Sequence, residues 1–194
     1  MNILLEALPN AIEIDGSEYE INSDFRSCLQ IILAFEDNSL AAIEKQMVLI
    51  ENLYKDKPDN LDQAVRQGIK FLNGGRDEQL QKPAMRVYSF EKDASYIMAA
   101  FKQTHNIDLD KETMHWWKFM TYFMDLGGET TFSNLVSLRT RVKTGKASKE
   151  ERAVAREIAE IFDLPEIDDR SLAEREADDE FMERVKRGRK SRGE

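Results

Sequence analysis

The chain has 194 residues, of which 41% are hydrophobic and 34% charged, with a net charge of −9 at neutral pH. That balance suits one soluble, core-forming domain with an added tail. It excludes a membrane-spanning chain, since no apolar run approaches the ~18 residues a span needs, and one cysteine excludes an internal disulfide framework or a cysteine-rich zinc site.

Nine glycines and four prolines favour long helices over many short strands. Residues Met1 to Glu6 lack the charged region, apolar stretch and cleavage site of a secretory signal, so the cytosol is the expected compartment. Charge is unevenly placed. Glu183 to Glu194 carries six basic and two acidic side chains, which leaves the rest strongly acidic. An acidic body is a poor general nucleic-acid binder. A short basic tail suits a phosphate backbone or the body's own acidic face.

In chain order, Ala11–Ile14 and Glu18–Ile21 alternate apolar and polar residues around Asp15-Gly16, a hairpin signal that Ser17 could lengthen. A hairpin alone is barely stable, so it is expected to lie on helices. Asn22-Ser23-Asp24 offers helix caps. Phe25, Cys28, Leu29, Ile32 and Phe35 come next at helical spacing, with Cys28 read as a small core residue. Leu40, Ile43, Met47, Ile50 and Leu53 or Tyr54 predict a second helix, which ends before Lys57-Pro58. A third runs from near Asn60 through Leu61, Ala64, Val65, Ile69 and Leu72 to the Gly74-Gly75 stop.

Residues 75 to 90 read as a polar linker or loop, with Val87–Phe90 a short extended piece. Asp93 is expected to cap a helix carrying Tyr96, Ile97, Ala100 and Phe101. The central helix spans about Lys111 to Leu126. Thr131 to Thr144 gives another, and Ser148 with Glu151 forms a capping box for the last, carrying Val154, Ile158, Ile161 and Phe162. Glu166 to Glu194 is charge-rich, and Leu172, Phe181, Met182 and Val185 are too sparse to specify a core. The expected architecture is mainly α: a bundle of six to seven helices over residues 1–165, with a small N-terminal β-hairpin packed on it. A charged tail, disordered or a solvated helix, covers 166–194.

Catalytic and metal-binding patterns are missing. His105 and His115 lack HExxH-type partners, and His115 reads as a packed or capping residue. Asp108 and Asp110 suit a turn, and Glu150-Glu151 the first turn of a helix. There is no GxSxG elbow, phosphate-binding lysine loop or GxGxxG fingerprint. No catalytic, cofactor or metal residues are assigned, and an enzyme is not expected. Arg139, Arg141, Lys143, Lys146 and Lys149 fit either phosphate contacts or cations complementing a helix C-terminus. Arg184–Arg192 fits a nucleic-acid tail, a solubilising tail or a docking segment.

The densest signal is His115–Met124, which holds both tryptophans. Trp116, Phe119, Met120 and Phe123 share one face, read as core. Trp117, Met114, Met124 and Tyr122 point elsewhere and are the expected partner-binding residues, since methionine and tryptophan suit adaptable binding surfaces.

Several segments resemble a known family. They are Val87-Tyr88-Ser89-Phe90-Glu91-Lys92-Asp93-Ala94-Ser95-Tyr96-Ile97, Ala99-Ala100-Phe101, Asn106-Ile107-Asp108-Leu109, His115-Trp116-Trp117-Lys118-Phe119 and Arg139. Leu8-Pro9, the Asp15-Gly16 hairpin and Ile21–Arg26 also fit. Together, over about residues 1 to 145, the chain resembles the gene-product-fifteen family of phage and prophage tail-region proteins. The resemblance implies a non-enzymatic tail assembly chaperone in the host cytoplasm. Such a protein binds and solubilises the tape-measure protein and helps recruit tail-tube subunits, without cofactor or membrane. A structural tail or connector component retained in the virion is the alternative, and a nucleic-acid-binding phage protein a further one. A homo-oligomer remains open.

Overall fold

The computed structural model describes residues 2–76 and 85–165. The centre of the expected 75–90 linker and the whole expected tail lie outside the described residues.

The fold is mainly helical with one small antiparallel hairpin. Strands β1 (Ala11–Ile14) and β2 (Ser17–Glu20) pair with Ile14 opposite Ser17. Asp15 and Gly16 form the two-residue turn, with φ of 51° and 81°. Two successive positive φ angles give the mirror-image turn whose twist matches paired strands. Ile14 is buried, and the hairpin rests on α3 (Leu61–Leu72). Its end is tied to α2 (Ala42–Leu53): Asn22 donates its N–H to the Leu53 carbonyl at 2.7 Å, and Lys55 donates to that of Glu20 at 3.0 Å.

Helix α1 (Phe25–Glu36) is capped by Asp24, whose Oδ1 accepts the Arg26 N–H at 2.9 Å. It buries Phe25, Cys28 and Ile31. Burial raises the Cys28 thiol pKa to about 12, as suits an inert core residue. The α2–α3 pair packs closely at Gly68. A Cβ there would lie 2.7 Å from Leu49 Cδ2 and 3.0 Å from Leu53 Cδ2, so a larger residue would have to push the ends of these two leucines aside. Leu49, Ile50 and Leu53 are buried, whereas Ile43 and Met47 face outward at 63% and 53% exposure.

The C-terminal half holds α4 (Ala94–His105), α5 (Trp116–Met124), α6 (Thr131–Lys143), α7 (Lys149–Glu157) and α8 (Ala159–Phe162). Two expectations are corrected here. Val87–Phe90 lies outside regular elements, and its Tyr88 and Phe90 rings pack on Phe123, with centroids 5.1 Å away in each case. The central helix starts at Trp116 rather than near Lys111, because residues 114–116 run extended against 23–25. Phe25 donates its N–H to the Met114 carbonyl at 2.9 Å, and Trp116 to that of Ser23 at 2.7 Å. The last expected helix breaks at Ile158 into α7 and α8. It buries Ala155 and leaves Val154 and Ile161 exposed. The described residues thus contain eight helices.

Phe119 is the hub of the core. Its ring stacks on Phe25 of α1 at 4.9 Å, on Phe101 of α4 at 5.0 Å and on Trp116 at 5.6 Å, and meets Phe123 at 6.1 Å. Offset stacking of this kind adds to the burial of large apolar area. Phe119→Ala is expected to destabilise the protein by about 3–5 kcal/mol in urea unfolding. A loss below about 1 kcal/mol would show that the cluster collapses to fill the space.

Candidate partner-binding surface

Helix α5 starts from a histidine cap. His115 Nδ1 accepts the Trp117 N–H at 3.0 Å, and Nε2 lies 2.9 Å from the Pro9 carbonyl. Those partners fix a neutral ring with its proton on Nε2, which donates to Pro9. Burial pushes its pKa below the ordinary histidine value, against the Pro9 bond that favours the charged form.

The two indoles at the start of α5 close off the neighbouring helix α3. Trp116 Nε1 donates to the Leu72 carbonyl and Trp117 Nε1 to that of Phe71, both at 2.8 Å. Asn73 N–H donates to Ile69, Gly74 N–H to Phe71 and Gly75 N–H to Lys70, so all four terminal carbonyls of α3 are satisfied. Gly74 and Gly75 sit at φ of 70° and 79°. A Cβ on Gly75 would lie 3.0 Å from the Trp117 ring. The tryptophan also stacks on Phe71, with centroids 5.7 Å apart.

Trp117 is therefore half-covered by its own chain, and replacing it would cost fold stability as well as surface. Met114 is corrected outright. It is 7% exposed and belongs to the core, because the extended 114–116 segment points it inward. Tyr122 is half-buried; its ring lies 4.9 Å from that of His105, whose Nε2 is 2.9 Å from the Tyr122 carbonyl. Met124 projects at 77% exposure. Of the face read as core, Trp116, Phe119 and Phe123 are buried and Met120 is half-buried. Trp117, Met120 and Met124 line a cleft of about 300 Å³ with Ile3, Leu72 and Arg76.

Another apolar opening lies away from α5. Between α2 and α3, a groove of about 380 Å³ is lined by Ile43, Met47, Ile50, Tyr54, Leu61 and Val65. Its rim carries Glu51, Lys55, Lys57 and Asp62, and Glu20 holds the Lys55 ammonium at 2.7 Å. The residues the spacing had put on this helix divide: Ile50, Leu53 and Tyr54 are buried, Ile43 and Met47 exposed, and Leu49 was missed. Gly68, a glycine in mid-helix, was the overlooked sign of a close approach here.

The basic cluster is largely engaged. Arg139 is fully buried, and its guanidinium donates to both Asp93 carboxylate oxygens at 2.6 and 3.0 Å. It also donates to the carbonyls of Val87, Ile161 and Phe162, which occupies all five N–H donors. Arg139 therefore has no donor for a phosphate. Asp93 occupies the expected N-cap position of α4, but its side chain does not cap the helix; it accepts from Arg139 and from the Ser89 N–H. Arg141 pairs with Glu151 at 2.8 Å, and Lys143 donates to the Arg86 carbonyl at 2.6 Å. Among the described residues no cluster of His, Cys, Asp and Glu could hold a metal ion, and no helix is long and apolar enough to cross a membrane.

Asp93→Ala strands the buried guanidinium and is expected to cost about 3–5 kcal/mol in urea unfolding. Arg141→Ala, at a partly exposed pair, should cost under about 1 kcal/mol; equal losses would contradict this contrast. His115 supplies a pH test. Its folded pKa lies below 6.5, so the unfolded chain takes up a proton first as pH falls. The ring's contribution is complete above pH 6.5 and is lost as pH drops through the folded value. His115→Asn keeps a cap acceptor without titrating. Between about pH 7.5 and 5 the wild type should lose stability relative to this variant; parallel pH profiles would contradict the neutral cap.

A search of the curated proteins and one of the solved structures each found no match. The family described as bacteriophage Gp15 protein matches residues 4–164. That span covers most of the chain and includes the hairpin, all eight helices and the double-tryptophan segment, and the chain belongs to the bacteriophage Gp15 protein family.

Proposed function

We propose that this phage protein is a non-enzymatic tail assembly chaperone acting in the host cytoplasm. It binds apolar helical segments of the tape-measure protein, keeps them soluble and helps bring tail-tube subunits to them. The observation that carries this reading is the open α2–α3 groove, where Ile43, Met47 and Leu61 stand exposed above a floor of Ile50, Tyr54 and Val65.

An amphipathic helix buries side chains at i, i+3, i+4 and i+7 in such a groove. Ile43, Met47 and Ile50 repeat at the same spacing along α2, which suits side-by-side packing of two helices. Methionine at the centre adapts to varied partner side chains. Modest affinity at each site suffices when many copies coat one long partner. The cleft at Trp117, Met120 and Met124 offers a second apolar contact. This assignment moves the main grip from α5, where the sequence had suggested it, to α2 and α3.

The test is co-expression with the tape-measure protein of the same phage. The wild type should raise its soluble fraction several-fold, and the Ile43→Glu, Met47→Glu double variant should lose that effect while unfolding at the wild-type denaturant concentration. Unchanged solubilisation by the variant would overturn the groove assignment. Stoichiometric incorporation of this chain into purified virions would overturn the chaperone reading in favour of a structural tail component.

A further inference from the structure

The chain leaves its last described helix at a fixed place. Arg139 holds the carbonyls of Ile161 and Phe162, Lys92 donates to that of Asp163, and Arg86 to that of Pro165. Pro165 thereby lines a cleft with Leu33, Asn38 and Leu40, at the turn between α1 and α2. Ile43, at one end of the α2–α3 groove, lies three positions after Leu40. Pro165, the last described residue, therefore lies against the turn that leads into α2.

The sequence near the C-terminus complements that groove. Phe181, Met182 and Val185 fall at i, i+1 and i+4, and Arg184, Lys186, Arg187, Arg189, Lys190 and Arg192 lie among and after them. The groove is built by the acidic part of the molecule: residues 1–76 hold thirteen acidic and seven basic side chains. Glu51 and Asp62 stand on its rim with Lys55 and Lys57, and Lys55 is paired with Glu20. Reach is ample. The fifteen residues between Pro165 and Phe181 extend to about 50 Å, whereas a twelve-residue helix such as α2 is about 18 Å long.

We propose that residues 181–192 of this chain dock into its own α2–α3 groove. Phe181, Met182 and Val185 cover Ile43, Met47 and Leu61, and the basic residues face Glu51, Asp62 and the surrounding acidic surface. Tethering places the segment at an effective concentration near the millimolar range, so weak contacts hold it. The docking does not rest on the chaperone reading.

The test uses the full chain with photoreactive benzoylphenylalanine introduced at position 181. Irradiation at low protein concentration, followed by peptide mass spectrometry, should place the links within residues 43–65. Met47→Glu should reduce their yield at least fivefold, as should joint replacement of Arg184, Lys186 and Arg187 by Glu. Links to other surfaces, links between differently isotope-labelled copies, or no links above an unfolded control would each overturn the proposal. The two readings fail separately. Groove links without solubilisation of the tape-measure protein would sink the chaperone reading alone, and solubilisation without groove links would sink the docking alone.

Discussion

A nine-residue helix makes too few backbone hydrogen bonds to hold itself in water, yet α5 carries the hub of the core. It is held from outside, at its first turn. The antiparallel bridge between Asp24 and His115 lays the starts of α1 and α5 side by side. Asp24 serves both, with Oδ1 on the Arg26 N–H and Oδ2 on the Met114 N–H at 3.3 Å. His115 then closes the first turn of α5 and ties it to Pro9, and the two indoles fasten it to the end of α3. With its start fixed on three sides, α5 can present Phe119 to Phe25 and Phe101 at stacking distance. The aromatic cluster depends on that polar scaffold for its register.

Much of the fold was legible in the sequence because local signals agreed with each other. Asp15-Gly16 specified its turn, Asp24, Asn60 and Ser148 cap helices through their side chains, and the diglycine at 74–75 ended α3. The apolar period of α5 named Trp116, Phe119 and Phe123, which are buried, whereas that of α1 named Phe25 and Cys28 but missed Ile31, with Leu29, Ile32 and Phe35 only half-buried. Illegible parts depended on contacts distant in sequence. The late start of α5 comes from pairing with residues about ninety positions earlier. The outward position of Ile43 and Met47 goes with the packing of Leu49 and Leu53 against Gly68 on α3.

Arg139 shows the same limit for charged residues. In sequence it belongs to a run of cations, where solvent or a helix dipole is the ordinary destination. In the fold it is buried and shared among Asp93 and three carbonyls from two separate segments. Such a group is costly to bury unless every donor is met. Meeting them fixes the 85–93 segment against α6 and α8, a long-range arrangement that neither periodicity nor local composition encodes.

Gly68 carries a consequence for how the outer surface can change over generations. Leu49 and Leu53 close on the α3 backbone where Gly68 has no side chain. A larger residue there would first displace the ends of those two leucines, beneath the channel between Ile43 and Leu61, without touching a residue that lines it. What the outer surface accepts is therefore tied to packing that a survey of surface residues alone would miss.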